Sequence, residues 1–321
     1  MWPHGGISSP LSLPPMPAAP PLILANATAG GGTALRDLRA ACASFAGTAL
    51  LHITHTPREA QAALRTHWAD GTRRFVAAGG DGTLHLLVNT LHDMGVLPRV
   101  EAVGLAPVGT GNDLARTLNL PQSLPEALCI ACTAPPHPMD ALAIKRSGTT
   151  ERLALNVCAG GFGGYIDKAL SRGPKSLLGP LAYVMGAAQV LPKLRRYDVT
   201  LTFDNGTVSR SDILNVVVAN ASTAAGGLNV APGADPFDGA LNVVTVQAGS
   251  ASEIAGVVRQ VLTGRYTNHP LVTAYTAQSV RIRANPPLIF NADGELLSYA
   301  PQSFVVEPGL VPMAGPGSLQ T

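Results

Sequence analysis

Residues 74–94 read RFVAAGGDGTLHLLVNTLHDM. The apolar run at 74–78 predicts a buried parallel strand, and it breaks into Gly79-Gly80. Residues 84–94 carry helical spacing. Gly79-Gly80-Asp81-Gly82-Thr83 therefore sits at a strand-to-helix junction. Glycines there let the backbone approach an anion and adopt positive φ. The helix start adds free N–H groups and a partial positive charge. Asp81 among the glycines repels a phosphate unless a divalent cation stands between them, which makes it a candidate metal-side residue. A tight turn with Asp or Thr as helix cap fits the same five residues.

The surroundings favour the phosphate reading. Short apolar runs at 22–25, 50–53 and 102–107 predict further strands, and 34–46, 57–68 and 112–118 predict helices. This alternation argues for a parallel sheet with helices on both faces. Pro107-Val108-Gly109-Thr110-Gly111-Asn112-Asp113 is a second glycine-rich strand-to-helix loop. Successive loops of this kind emerge at the carboxyl edge of a parallel sheet and can line one crevice. The loop at 26–32 lies at the same edge. The Walker pattern GxxxxGK[ST] and GxGxxG with its downstream acid are both absent, which disfavours a plain P-loop ATPase or a dinucleotide dehydrogenase.

The pattern changes after Pro135-Pro136-His137-Pro138. Strand signals follow at 140–145, 152–159, 197–203, 213–220, 241–246, 279–283 and 288–291, with helical stretches at 174–194 and 252–263. The expected organisation is an α/β nucleotide-binding domain over 21–135 and a β-rich domain over 136–300. Residues 301–309 are expected to pack back on the first domain, and 1–20 and 310–321 to be disordered tails.

The 321 residues are 46% apolar and 13% charged, enough for a large core and against global disorder. A net charge of +2 gives no global pointer to nucleic acid. Four cysteines suggest no disulfide framework in a chain this long. Cys129-x-x-Cys132 has the spacing of a redox pair or half a zinc site, but no second pair follows. Two small residues on one helix face is the reading taken. Prolines interrupt 1–20, so no secretory signal is expected. The apolar stretch at 176–191 is too short for a membrane span and holds Gly179-Pro180. It reads as a buried helix, or as a helix near a membrane-facing mouth with Arg172, Lys175, Lys193, Arg195 and Arg196 flanking it.

GGDGT after a strand, followed by PVGTGND, resembles the diacylglycerol kinase catalytic-domain family. That family includes bacterial lipid kinases and the sphingosine and ceramide kinases, with NAD kinases as more distant relatives. The resemblance runs from about residue 22 to 306. Asn26 and Gly30 stand where the family has Asn-Pro-x-Ser-Gly, without the proline. Thr54 matches a threonine near the nucleotide. Gly179-Pro180-Leu181-Ala182-Tyr183, Asn220, Gly226-Gly227, Ala231-Pro232, Asp238-Gly239 and Asn291-Ala292-Asp293-Gly294-Glu295 match further segments. The chain departs from the family at Leu84-His85-Leu86, where Leu-Asn-Glu is frequent; His85 reads as a helix residue packing near the site. Asn89 matches.

The resemblance implies a fold in two parts, an N-terminal Rossmann-like, NAD-kinase-like parallel α/β domain and a C-terminal β-rich sandwich. It implies an ATP-dependent lipid kinase, with diacylglycerol as the leading substrate. The alternatives are a sphingoid base, phosphatidylglycerol or NAD as acceptor, or a nucleotide- or lipid-binding regulator without turnover. ATP would be held by Asn26, Gly30, Thr54, Gly79, Gly80, Asp81, Gly82, Thr83, Gly109, Thr110, Gly111, Asn112 and Asp113. Asp293 would be the catalytic base, with Glu295 orienting it or helping hold metal. Mg²⁺ would be bound by Asp235, Asp238 and the Ala240 carbonyl, with Asp81 on the metal side and Asp140 in the charge network. The implied setting is cytoplasmic and peripheral to the inner face of the membrane, on a lipid substrate, with no nucleic acid partner, no transmembrane span and a homodimer as one open assembly.

Overall fold

A computed structural model describes residues 19–29, 31–43, 48–161, 195–261, 264, 266–298, 300–301 and 303–315. Strands β1 (Leu22–Asn26), β2 (Leu50–Thr54), β3 (Arg74–Gly79) and β4 (Ala102–Pro107) alternate with helices α1 (Gly31–Ala43), α2 (Pro57–Ala69) and α3 (Asp81–Asp93). Helices α4 (Asp113–Thr117) and α5 (Leu124–Thr133) follow. The four strands run parallel in the order β2-β1-β3-β4. Their period-2 alternation builds a core on each face. Leu22, Leu24, Phe75, Ala77, Val103 and Leu105 face Leu64 of α2 and Leu87 of α3. Ile23, Ala25, Val76, Ala78 and Ala106 face Leu38 of α1 and Leu128 of α5. The start of α2 is set by local chemistry: Thr56 Oγ1 accepts from the Glu59 N–H, the Glu59 carboxylate accepts from the His55 N–H, and Pro57 opens the first turn.

The β-rich part begins with β5 (Pro136–Arg146), β6 (Thr149–Ala154) and β7 (Val157–Gly161). It continues with β8 (Tyr197–Phe203), β9 (Val208–Ala219), the short β10 (Thr223–Ala224) and β11 (Leu228–Asn229), and β12 (Leu241–Gln247). Helix α6 (Ala251–Val261) precedes β13 (Val272–Ala277), β14 (Ser279–Asn285), β15 (Phe290–Ala292), β16 (Glu295–Leu296) and β17 (Ser303–Ala314). Along β9, Val216 and Val218 face a core with Phe290 and Phe304, while Val217 and Ala219 face a second core with Ile254 and Val257 of α6. The chain is thus a mixed fold, Rossmann-like and parallel at its N-terminal part and β-rich after it.

Two expectations are corrected. The run at 152–159 is two strands, because the N–H groups of Leu155, Asn156 and Val157 leave the ladder for the Asp293 carboxylate. The segment from 310 is no loose tail up to Ala314: β17 pairs with β5 along most of its length and with β4 at Met313↔Val103, burying Val311 and Met313. The strand at Val272–Ala277 escaped the sequence reading, and α1 starts three residues ahead of its expected position. The expectations for 1–18, Gly30, Arg172, 174–194 and 316–321 lie outside the described residues. No helix among the described residues is long and apolar enough to cross a membrane.

Candidate active site

The register aligns Asn26 with Thr54 and Gly79 with Pro107, so β1 to β4 end at one edge. There the two glycine loops touch. Val108 N–H donates to the Gly79 carbonyl at 3.0 Å. A Cβ on Gly79 would lie 2.1 Å from Thr83 Oγ1, and one on Gly109 would lie 2.4 Å from the Gly80 Cα. Only glycine permits this packing. A Cβ at Gly82 would meet nothing within 4 Å.

Asp81 does more than sit among the glycines. Its carboxylate accepts the N–H groups of Asp113 and Leu114, each at 3.0 Å, and so caps α4 from the other loop. The residue at the formal cap, Asn112, sits at φ 52° and makes no side-chain cap bond. Its Nδ2 donates to the Gly109 carbonyl at 2.8 Å, and its Oδ1 is buried without a partner. Asp113 reaches the β-rich part: its carboxylate accepts from Gly226 N at 2.9 Å and Gly227 N at 2.6 Å. Burial pushes the Asp113 carboxyl up; the Gly226 N–H pulls it down, and the Asp81 charge pushes it up again. Arg116 bonds the Gly111 carbonyl and lies 3.7 Å from Asp113 Oδ1.

The first loop is tied to itself. Asn26 Oδ1 accepts from Thr28 N and Thr28 Oγ1 at 3.0 and 2.8 Å, an Asx turn. Thr54 is buried, and its hydroxyl donates to the Ala25 carbonyl at 3.1 Å. Thr110 is exposed.

Asp293 occupies a left-handed backbone position, φ 50°, at the turn between β15 and β16. Its side chain is 2% exposed. Oδ1 accepts from Asn156 N and Val157 N at 3.0 Å each, and Oδ2 accepts from Leu155 N at 2.7 Å and His85 Nδ1 at 3.0 Å. His85 is 3% exposed, and its Nε2 lies 3.4 Å from Arg152 Nη1. One helical turn after Asp81, α3 thus meets the turn that carries Asp293. Glu295 is exposed on the short edge strand β16, in surroundings unlike those of Asp293. The sequence reading missed His85 and Arg152 as partners; the only signal was a polar residue on the buried face of α3.

Asp140 is buried at the centre of a third cluster. Its carboxylate accepts from Gly239 N and Gly309 N, each at 2.7 Å, and its own N–H donates to the Pro236 carbonyl. Asp235 accepts from Phe237 N at 3.1 Å, and Asp238 from Ala240 N at 2.8 Å. Burial pushes the Asp238 carboxyl up, the Ala240 N–H pulls it down, and the Asp235 and Asp140 charges push it up. Mutual repulsion of this kind is what a hard cation relieves, and carboxylate plus carbonyl is its preferred donor set. Among the described residues, no three His, Cys, Asp or Glu side chains converge as a ready metal cluster. The loop itself supplies two carboxylates, Asp235 and Asp238.

The diacylglycerol kinase catalytic domain family matches residues 20–144, and the YegS C-terminal NAD kinase beta sandwich-like domain family matches residues 158–315. This chain belongs to the diacylglycerol kinase catalytic-domain family. A diacylglycerol kinase of Staphylococcus carnosus is 28% identical over 231 residues, 72% of each chain. One from Staphylococcus epidermidis is 27% identical over 72% of this chain and 70% of its own. Among solved structures, a chain from Bacillus anthracis strain Sterne gives a TM-score of 0.74 at 21% identity, covering 92% of this chain and 97% of that one. A diacylglycerol kinase from the same strain gives 0.67 at 20% identity over the same shares. At those identities the structures speak for the fold alone. Family membership supports a lipid kinase.

Proposed function

We propose that the protein is an ATP-dependent lipid kinase that transfers the γ-phosphoryl group to a lipid hydroxyl, with diacylglycerol as acceptor and phosphatidic acid as product. One observation carries this reading. Helix α3 starts in the Gly79–Thr83 phosphate loop and one turn later is bonded, through His85, to the Asp293 carboxylate. One helix thereby links the proposed phosphate cradle to the proposed proton acceptor.

Phosphoryl transfer is mostly positioning and charge neutralisation. The backbones of Gly79, Gly80, Gly82, Thr83, Gly109 and Gly111 offer the phosphate cradle, with Asn26, Thr54 and Thr110 at its rim. Asp81 holds the two loops in register, and Asp113 ties the second loop to the β-rich part. The lipid hydroxyl oxygen attacks the γ-phosphorus, the bond to the β-phosphate oxygen breaks, and the hydroxyl proton passes to Asp293. Glu295, beside the same turn, orients the base or helps hold metal. Asp235, Asp238 and the Ala240 carbonyl would hold a structural Mg²⁺, and Mg²⁺ on the Asp81 side would offset phosphate charge when bound. The β-rich part would receive the acyl chains, with the enzyme peripheral to the inner face of the membrane.

The test is a kinase assay with ATP and Mg²⁺ on a lipid panel, products identified by mass spectrometry, comparing the wild type with Asp293→Ala. Phosphatidic acid from diacylglycerol in the wild type alone is expected. Full activity in Asp293→Ala would sink the proposed role of that residue.

A further inference from the structure

The Asp293 carboxylate is full. Two oxygens offer about four lone-pair sites, and four N–H groups occupy them: Asn156, Val157, Leu155 and His85. Three of these donors belong to the main chain at the β6–β7 break and cannot leave without breaking the fold. The fourth is a side chain, and it comes from the helix of the phosphate loop. His85 is therefore the one adjustable contact on the carboxylate, and it acts on Oδ2.

The tautomer follows from the partners. Nδ1 faces an acceptor-only carboxylate, so it carries the proton. Nε2 faces Arg152 Nη1, a donor-only group, at 3.4 Å, so it accepts. Arg152 is exposed and its guanidinium has no carboxylate partner among the described residues. The line Arg152–His85–Asp293 runs from solvent to the buried oxygen, with each group fixing the next. The outer partner of a histidine commonly sets its tautomer and ring orientation in this way.

We infer that His85 is the positioning residue for Asp293: its Nδ1–H holds Oδ2 in place while the nucleotide binds, and that lone pair is the one surrendered to the acceptor hydroxyl. This rests on the lipid-kinase reading. A substrate proton can reach no other lone pair of the carboxylate without displacing backbone. Arg152, through Nε2, keeps the ring in the donating tautomer.

Chemistry supplies a clean pair of variants. In Asn the Nδ2 atom occupies the branch position of the histidine Nδ1, so His85→Asn keeps an N–H donor there. His85→Leu keeps comparable bulk and removes the donor. The expected result is a fall in kcat of tenfold or more for His85→Leu, at an ATP KM within twofold of wild type, with most of the loss recovered in His85→Asn. Equal kcat in His85→Leu and wild type, or equal loss in both variants, would overturn the inference, since a packing role follows bulk and not the donor. A second readout needs no turnover. The ¹⁵N spectrum of the His85 imidazole should show the Nδ1–H tautomer in the wild type, with the ring signals moved in Asp293→Asn and in Arg152→Ala. The Nε2–H tautomer would overturn the inference on its own. A wild type inactive on every lipid with the Nδ1–H tautomer in place would overturn the kinase reading and leave the Asp293–His85 contact standing.

Discussion

Gly109 lies so close to Gly80 that a Cβ on Gly109 would sit 2.4 Å from the Gly80 Cα. The contact joins two loops that are separate in sequence, and it leaves no room for relaxation, because the obstructing atom is backbone. Gly109→Ala should cost about 1–3 kcal/mol through forced backbone movement and weaken ATP binding with it. Thermal melts and calorimetric titration with ATP check both. Gly82→Ala is the control for stability: its Cβ meets nothing within 4 Å, so its melting temperature should hold.

Asn89 bridges α3 to β6 with three bonds. Its Nδ2 donates to the His85 and Leu153 carbonyls, and its Oδ1 accepts from Leu153 N. Asn89→Leu would leave both polar groups of Leu153 buried and unpaired there, at about 1–3 kcal/mol for each unsatisfied group. Urea denaturation should show a loss of at least about 2 kcal/mol, well above that of an exposed substitution on the same helix.

Asp113 gives a pH dependence with a definite sign. Burial first, and then the Asp81 charge, raise its folded-state pKa above the ordinary 3.8. A carboxyl raised in the folded state binds its proton more tightly there than in the unfolded chain. Its stabilising contribution is fully present below pH 3.8 and is lost as pH rises through the folded value. Wild type should therefore lose stability relative to Asp113→Asn across that rise and run parallel to it at higher pH. Unfolding midpoints taken in steps from pH 3.5 upward check this; parallel curves throughout would contradict it.

The parts of the fold that were legible in the sequence are those whose cause is local. Leu22 to Ala25 and Phe75 to Ala78 are uninterrupted apolar runs ending in turn chemistry, and Thr56, Pro57 and Glu59 announce α2 by themselves. The contact between the glycine loops followed from their shared sheet edge. What escaped was decided at long range. β17 contains Pro308, Gly309 and Pro312, which read as loop. It is a strand because β5 lies beside it and its register shifts between Glu307 and Val311. The break between β6 and β7 has no turn signature, since its cause is Asp293 far along the chain. The Cys129-x-x-Cys132 pair resolves as one exposed and one buried free cysteine, and burial pushes the Cys132 thiol up to about 11. His85 reads from the sequence as a helix residue packing near the site, but its bond to Asp293 is not legible there, because the carboxylate comes from another part of the molecule.

β17 has a consequence for how the protein comes to be made. Met313 pairs with Val103, so the border of the parallel sheet is closed by a segment that leaves the ribosome only after the whole β-rich part. Chains emerge N-terminus first and generally fold domain by domain. Here the first-made part must wait with β4 uncovered on one side, open to a wrong strand in the meantime. A nascent chain arrested before β17 has emerged should thus be protease-sensitive in its first sheet, and chaperone dependence should concentrate in that interval.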